Sequence, residues 1–489
     1  MKERSFYSNL FFSLGLNLLV KPAAIFLIDA KVQNIVGPEY GIYFAVFNLS
    51  LILSILFDFG VNNLSVKLAA QDVKEAKLQF SSILIFRAAL LLFYSIGLSI
   101  INLFVKLSSV EYLLILILGL NQFLIANIAY FRSFFAGLHW FRLDAFFSVL
   151  DRIVLILSMG TILYLYKDGL KWVSIEYYAL LQFCGYAVTF LIAGIILYLK
   201  IKPPFIKPKI ALVKTLVKQA FPYALLIVLM TLYTRSDAII LKYSAGIEEA
   251  SYYAQAYRLI DALYMFAMVF AGLLFPMFSK MIKDQPNAIG PLVAQASRLL
   301  LGSSIAFVVF GFFRGGLLID LIYSNTSVDS GSILFLLCIA FFGMASNLIY
   351  GSLLTANGSL KVLNMISFIG FVINLSLNMI FIPKVLNGGA VIAAGVAALT
   401  QLIVALAQAI YCKRNFELAL IDKSLLRYLV LVALLSFWYI RAWFSPIGNL
   451  NSTWLIFCDI LFSLLLLFVL KFIDIKELIS LVQKRSKTQ

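Results

Sequence analysis

The stretch from Gly331 to Ala356 reads GSILFLLCIAFFGMASNLIYGSLLTA and holds no Asp, Glu, Lys or Arg. It exceeds the ~20 apolar residues that a helix needs to cross a bilayer. Apolar residues follow one another instead of alternating with polar ones, so the run fits a helix and disfavours a barrel strand. Outward from it, similar runs recur at 8–33, 41–66, 79–104, 111–136, 146–166, 176–199, 220–244, 251–279, 293–322, 362–386, 389–411, 426–445 and 453–473. Together they predict an all-α integral membrane protein of about 14 transmembrane helices joined by short connectors.

Composition agrees. Of 489 residues, 63% are hydrophobic and 13% are charged, where a soluble domain has roughly 45–50% and about 25%. One globular core could not hide so much apolar surface. An ordinary cytosolic enzyme, a secreted disulfide domain and a disordered scaffold are excluded, and no room remains for a separate soluble domain. The N-terminus, Met1-Lys2-Glu3-Arg4, leads into a long apolar run that passes through Lys21-Pro22. That pattern reads as a retained first helix and not as a cleaved signal peptide.

A net charge of +16 would suggest nucleic acid in a soluble protein. Here it follows from cytoplasmic loops that collect Lys and Arg, and nucleic acid is not expected as a partner. One side of the expected topology takes both termini and the cluster Lys200, Lys202, Lys207, Lys209, Lys214 and Lys218. The other side takes only Lys31, Lys106, Lys167, Lys171, Lys242, Lys384 and Arg441. This asymmetry predicts that both termini are cytoplasmic. The cysteines, Cys184, Cys338, Cys412 and Cys458, form no CxxC pair, and His139 is the lone histidine. Core filling is their expected role, and no metal site is expected.

The longest polar gap, 200–219, opens with Lys202-Pro203-Pro204. Beyond Pro208, Ile210, Val213, Leu216 and Val217 fall at helical spacing, with Lys207, Lys214 and Lys218 on another face. A short amphipathic helix on the cytoplasmic membrane surface and a solvated linker both fit. The expected organisation is a six-helix lobe over 1–199, a cytoplasmic amphipathic linker over 200–219, a second six-helix lobe over 220–415, and two further helices with a basic tail over 416–489. At an offset of 210, Glu39 falls on Glu249, Tyr43 on Tyr253, Phe47 on Tyr257 and Leu49 on Leu259. Phe135-Ala136-Gly137 before Arg142 echoes Ala356-Asn357-Gly358 before Lys361. These echoes predict a parallel six-helix repeat in a pseudo-twofold arrangement, with a substrate site between the halves near the midplane.

Ionisable residues inside spans are costly and usually face a cavity. Those present are Lys21, Asp58, Arg87, Asp151, Arg152, Arg235, Asp237, Arg258, Asp261, Arg298, Arg314 and Asp320. Asp151/Arg152, Arg235/Asp237 and Arg258/Asp261 are close in sequence and can pair; Arg258 and Asp261 can share a helix face. Lys21 has no such neighbour and precedes Pro22, whose ring disturbs a helix, so Lys21 is expected to line a polar cavity. Arg87 and Arg298 sit near cytoplasmic ends, where snorkelling competes with a cavity role. Arg314 is expected to snorkel outward. Unpaired cavity cations call for a mobile anion, and a phosphate or diphosphate suits Arg forks and a Lys point charge. Asp58, Asn62 and Asn63 are spaced to form a polar patch, Asn364, Asn374 and Asn378 mark the eleventh span, and Gly343, Ala345, Ser346, Gly351 and Gly370 allow close helix contact.

No GxxxxGK[ST], HExxH or GxSxG run is present, and no loop is long enough to carry membrane-enzyme chemistry. No catalytic residue and no cofactor is expected. Transport by rocking of two halves is the favoured reading.

Several stretches then carry a family resemblance: Gly37-Pro38-Glu39-Tyr40-Gly41-Ile42-Tyr43, Asp58-Phe59-Gly60, Arg235-Ser236-Asp237, Tyr253-Ala254-Gln255-Ala256-Tyr257-Arg258-Leu259, Phe275-Pro276, Asn374-Leu375-Ser376-Leu377-Asn378, Ile382-Pro383 and Gly388-Gly389-Ala390. In order and spacing they resemble the bacterial oligosaccharide/polysaccharide flippases of the Wzx type, in the superfamily shared with multidrug-and-toxin exporters and lipid II flippases. The resemblance implies that a polyprenyl-diphosphate-linked oligosaccharide moves from the cytoplasmic to the outer leaflet by alternating access. The process served would be synthesis of O-antigen (lipopolysaccharide), capsule or exopolysaccharide. The protein would be multi-pass in the bacterial cytoplasmic (inner) membrane, among membrane lipids, with a polysaccharide polymerase and a chain-length regulator as further partners. It implies a cationic cavity, matched here by Lys21, Arg87, Arg235, Arg258 and Arg298, with Asp58, Asp237 and Asp261 as ion-coupling candidates. A lipid II flippase, which also has two helices after twelve, and a cation-coupled multidrug exporter are the alternatives. The exporter would want acidic and aromatic cavity residues.

Overall fold

The computed structural model describes residues 15–58, 73–105, 107–138, 140–204, 210–385, 387–416, 425–443 and 451–473. Every regular element among them is helical. The helices are α1 (15–36), α2 (Tyr40–Asp58), α3 (Val73–Val105), α4 (Ser109–Gly137), α5 (Phe141–Leu165), α6 (Ile175–Ile201) and α7 (Ile210–Ser244). There follow α8 (Ile247–Asp284), α9 (Ile289–Ile322), α10 (Ser330–Ala356), α11 (Leu360–Phe381), α12 (Gly389–Phe416), α13 (Leu425–Trp443) and α14 (Ser452–Val469). Each overlaps one expected span. Among the described residues, 11 continuous helical stretches are long and apolar enough to cross a membrane, Gly15–Ile55 counting as one. The chain is an all-α integral membrane protein.

Local chemistry sets the helix ends. Ser108 and Glu111 cap α4 reciprocally: Ser108 Oγ accepts the Glu111 N–H at 3.3 Å, and Glu111 Oε2 accepts the Ser108 N–H at 2.8 Å. Such a pair satisfies two amide donors that the helix start leaves unpaired. At the end of α6, Lys202 turns left-handed (φ 48°), and Pro203-Pro204 stops the helix. Gly388 (φ 86°) precedes α12, whose first amides reach across to α8. Glu249 Oε1 accepts the Gly388 N–H at 3.0 Å and Oε2 the Ala390 N–H at 2.7 Å.

Prolines bend expectation in three places. After Pro22, α1 widens into a π-helical stretch over Ala24–Asp29, because the missing amide donor breaks the ordinary bonding ladder. Pro222 is absorbed within α7, so the second part of 200–219 is not a separate surface helix but the start of α7; 205–209 lie outside the described residues. Pro276 likewise lies inside α8, which continues to Asp284, beyond the expected end at 279.

The chain forms two compact units, Met1–Lys242 and Tyr243–Gln489. The division falls beyond 200–219, so α7 goes with the first unit. The core of that unit is aromatic: Phe80, Tyr130, Phe131, Phe134, Phe135 and Phe147 pack together, with Phe80 stacked on Tyr130 at 5.7 Å between ring centroids. In the second unit α8, α10 and α12 pack together through small residues. A Cβ on Gly343 would lie 2.7 Å from the Gln401 backbone, so only glycine permits that approach. Beside this contact Asn347 Nδ2 donates to Gln401 Oε1 at 2.9 Å.

The two units repeat one detail. Tyr43 stacks on Phe47 at 5.9 Å in α2, and Tyr253 pairs with Tyr257 at 5.4 Å in α8. Both Tyr43 and Tyr253 are buried. Tyr43 and Tyr253, matched at an offset of 210, thus each meet the aromatic ring four residues on.

The last two helices join the second unit through an apolar cluster with α9, including Phe310, Leu431, Leu435, Tyr439, Ile456 and Leu466. Inside it lies an ion pair. Arg314 Nε donates to Asp459 Oδ2 at 2.7 Å, and the two side chains are 7% and 0% exposed. Asp459 Oδ1 accepts the Trp438 indole N–H at 2.8 Å. Arg314 therefore does not snorkel outward: Asp459, omitted from the charges counted within spans, supplies a partner one packing layer away.

Candidate functional site

Five charged side chains gather in the first unit. Lys21 comes from α1, Arg132 from α4, and Asp144, Asp151 and Arg152 from α5; the four others act electrostatically on Lys21. The break in α5 at Ser148 and Val149 separates Asp144 from Asp151 and Arg152. Ser148 Oγ accepts Asn17 Nδ2 at 2.9 Å, which ties α1 to that break one turn before Lys21.

The carboxylates are engaged. Arg132 Nε donates to Asp144 Oδ1 at 2.7 Å, with side chains 32% and 24% exposed. Arg152 Nε lies 3.2 Å from Asp151 Oδ2, with side chains 31% and 15% exposed. Arg152 also donates to the Tyr186 hydroxyl at 2.8 Å and stands over that ring at 5.6 Å. Lys21, half-buried, makes neither a hydrogen bond nor an ion pair within 4.0 Å among the described residues. Three cations thus share two carboxylates, and the excess charge rests on Lys21.

Depth follows from helix geometry. At 1.5 Å per residue, Arg132 lies about 8 Å inside the end of α4, Asp144 about 5 Å inside the start of α5, and Asp151 and Arg152 about 15 Å in. Asp151 and Arg152, partly exposed at that depth, lie where contact with hydrocarbon is costly and where charges usually face a cavity. The arrangement sets two guanidinium groups within electrostatic reach of one ammonium, a combination of donors suited to an anion with several oxygens.

The other expected site residues are placed differently. Arg87 has no exposed surface: its guanidinium donates to the Ala126 carbonyl and lies over the Tyr130 ring at 5.1 Å. It is packed in the interior of the first unit, neither snorkelling nor reaching water. Asp237 is buried and Arg235 half-buried on α7. Arg258 Nη1 lies 3.6 Å from Asp261 Oδ2, three residues on in α8, the pairing that their spacing predicts. Arg298 is half-buried on α9. Asp58 ends α2, with its side chain outside the described residues, as are Asn62, Asn63 and His139. Asn374 and Asn378 are fully buried, and Asn378 Nδ2 donates to Asn374 Oδ1 at 3.2 Å.

The sequence reading missed a second polar centre. Asp29, buried at the end of the π-helical stretch, accepts the hydroxyls of Tyr40 at 2.6 Å and Tyr178 at 2.7 Å on one oxygen. Tyr43 beside them donates to Gln182 Oε1 at 3.0 Å. Asp29 lies in an apolar run, and that was the signal. Arg132 and Asp144 were missed because both sit near helix ends, where charge is ordinary. Among the described residues no cluster of His, Cys, Asp or Glu is suited to a metal.

Known structures share this fold. A lipid II flippase, MurJ, in an inward closed conformation superposes with a TM-score of 0.70 at 19% identity, covering 98% of this chain and 100% of that one. An inward-facing multidrug resistance MATE family transporter of the MOP superfamily gives 0.65 at 13%, covering 83% and 98%. A MOP superfamily transporter from Pyrococcus furiosus, described as having reversed binding-pocket polarity, gives 0.56 at 13%, covering 84% and 94%. A search of curated protein sequences finds no match. The model of one family, described as "Polysaccharide biosynthesis protein", matches residues 7–282, more than half of the chain, including Lys21 and the four charged residues around it. The chain belongs to this polysaccharide biosynthesis protein family and has the fold of the MOP superfamily transporters.

Proposed function

We propose that the protein is a flippase that moves a polyprenyl-diphosphate-linked oligosaccharide from the cytoplasmic to the outer leaflet, for synthesis of a surface polysaccharide such as O-antigen, capsule or exopolysaccharide. The observation that carries this reading is the excess cation of the Lys21 cluster, half-buried among membrane-spanning helices. A diphosphate is the anion whose oxygens and charge match an ammonium beside two guanidinium groups. The family, whose description concerns polysaccharide synthesis, supports a glycan as the cargo, and the transporter fold supports alternating access. Arg235, Arg258 and Arg298 remain candidates for the glycan-facing part of the path, and Asp58, Asp237 and Asp261 for ion coupling. The protein would lie in the bacterial cytoplasmic membrane with both termini inside, and a polysaccharide polymerase and a chain-length regulator would take up its product.

Reconstitution tests the reading. Purified protein in vesicles should transfer a fluorescent polyprenyl-diphosphate-linked oligosaccharide between leaflets, and Lys21→Ala should slow that transfer. Absence of transfer by folded wild-type protein would refute the reading. The lipid II alternative is favoured by one observation: the superposition covers 98% of this chain and 100% of the other, more than a twelve-helix core would account for. Rescue of a strain depleted of its lipid II flippase would select that alternative.

A further inference from the structure

Three arginine–aspartate pairs in this molecule are buried to different degrees. Arg314 and Asp459 are sealed at 7% and 0% exposure. Arg132 and Asp144 stand at 32% and 24%, and Arg152 and Asp151 at 31% and 15%. A sealed pair is locked, because parting it leaves a bare charge in an apolar interior. A pair in contact with water parts at little cost, since solvent replaces each partner. The two pairs beside Lys21 are therefore exchangeable.

Exchange has a use here. A flippase returns without cargo, and three cations occluded in the membrane interior with no counter-charge would raise the barrier of the return step. Two carboxylates within reach leave only the charge of Lys21 uncompensated. When phosphate oxygens arrive, the guanidinium forks of Arg132 and Arg152 can turn from carboxylate to phosphate. Arg152 is held for the exchange by Tyr186, which binds it through both hydroxyl and ring. Asn17 and Ser148 hold α1 against the break in α5, which keeps Lys21 beside both pairs.

We propose that Asp144 and Asp151 are internal counter-ions that compete with the cargo's phosphate oxygens for Arg132 and Arg152, weakening binding so that cargo leaves and the empty carrier resets. The proposal rests on the diphosphate reading above, and it assigns the two aspartates a role in turnover, not in holding cargo.

The test separates binding from turnover. Purified full-length protein in detergent is titrated with farnesyl diphosphate, and transfer of a polyprenyl-diphosphate-linked fluorescent glycan is followed in vesicles. Asp144→Asn and Asp151→Asn should each bind farnesyl diphosphate about tenfold tighter, the equivalent of ~1.4 kcal/mol, while maximal transfer falls by a comparable factor. Thermal unfolding midpoints accompany both measurements. A purely structural aspartate would weaken binding and stability together, so tighter binding with slower transfer is the distinguishing result. Equal or weaker binding in folded variants would overturn the proposal. Should Asp144→Asn misfold, Asp151→Asn decides, because Arg152 keeps Tyr186 as a partner. A folded wild type that binds no farnesyl diphosphate would refute the diphosphate reading itself. Wild-type binding without tightening in the variants would refute the counter-ion role alone.

Discussion

Asp459→Asn is the perturbation whose outcome the structure fixes most closely. The carboxylate faces Arg314 at 2.7 Å with neither side chain meaningfully exposed, and it accepts the Trp438 N–H at 2.8 Å. Asparagine keeps an acceptor for the indole but removes the charge. Arg314 is then left cationic in an apolar cluster, with the Tyr439 ring at 5.6 Å as its remaining neighbour of note. Breaking a buried pair from one side costs about 3–5 kcal/mol; the ring returns at most ~2 kcal/mol and already does so in the wild type. Asp459→Ala adds loss of the indole acceptor, about 1–3 kcal/mol more. The paired replacement Arg314→Met with Asp459→Leu removes both charges and should recover most of the loss, since apolar groups of similar volume often match or exceed a buried pair. Thermal unfolding of the purified protein in detergent measures all three. The expected order of midpoints is wild type close to the double variant, then Asn, then Ala, with Asn lower by about 10 °C on the scale of a soluble unit of this size. An unchanged midpoint for Asn, or a double variant as unstable as the single ones, would refute the argument that the charges hold one another in place.

Further outcomes follow from the same geometry. Lys21→Ala and Arg258→Ala should lower flipping while folded protein stays in the membrane; loss of protein in step with activity would assign them a structural role, as the Arg258–Asp261 pair at 3.6 Å makes possible. Gly343→Leu should destabilise the second unit by about 1–3 kcal/mol or more, because even a Cβ would meet the Gln401 backbone at 2.7 Å; wild-type thermal stability would contradict the close contact of α10 with α12. Cysteine introduced at position 205 should resist a membrane-impermeant reagent in intact cells while one at 171 reacts, and labelling at 205 would invert the topology. Transfer should respond to membrane potential and not to ATP: each uncompensated charge gains ~2.3 kcal/mol per 100 mV. A rate unchanged at zero potential would leave removal of product as the drive, and an ATP requirement would mean a missing subunit.

What the sequence made legible was whatever a short window contains. Apolar runs of spanning length located every helix, and Arg258 with Asp261, or Asp151 with Arg152, were visible as pairs because three residues or one residue separate them. What stayed hidden was set by contacts between distant segments. Arg314 and Asp459 lie on α9 and α14, and no local pattern distinguishes a cation that will find a carboxylate there from one that will reach for headgroups. Arg87 illustrates the same limit, since its partners, the Ala126 carbonyl and the Tyr130 ring, both sit on α4. Helix boundaries failed where polar flanks were read as connectors: α7 begins at Ile210 and α8 runs on to Asp284. Pro222 and Pro276 continue inside long helices, because neighbouring helices and local adjustments satisfy the backbone groups that proline leaves unpaired in a membrane.

Lys21 shows how far a single sequence can carry a functional argument and where structure must take over. Its isolation from acidic neighbours along α1 singles it out as a cation needing an explanation. No local pattern shows that Arg132, Asp144, Asp151 and Arg152 gather around it, because that depends on α1 packing beside the break in α5. Once gathered, the five charges no longer pose the question of one costly lysine. They pose that of a site whose charge alternates between two internal carboxylates and a visiting anion. A transporter needs that property more than affinity: a site that held a diphosphate with all three cations and no competitor would bind well and release slowly. The balance of three cations against two exchangeable carboxylates favours passage over retention.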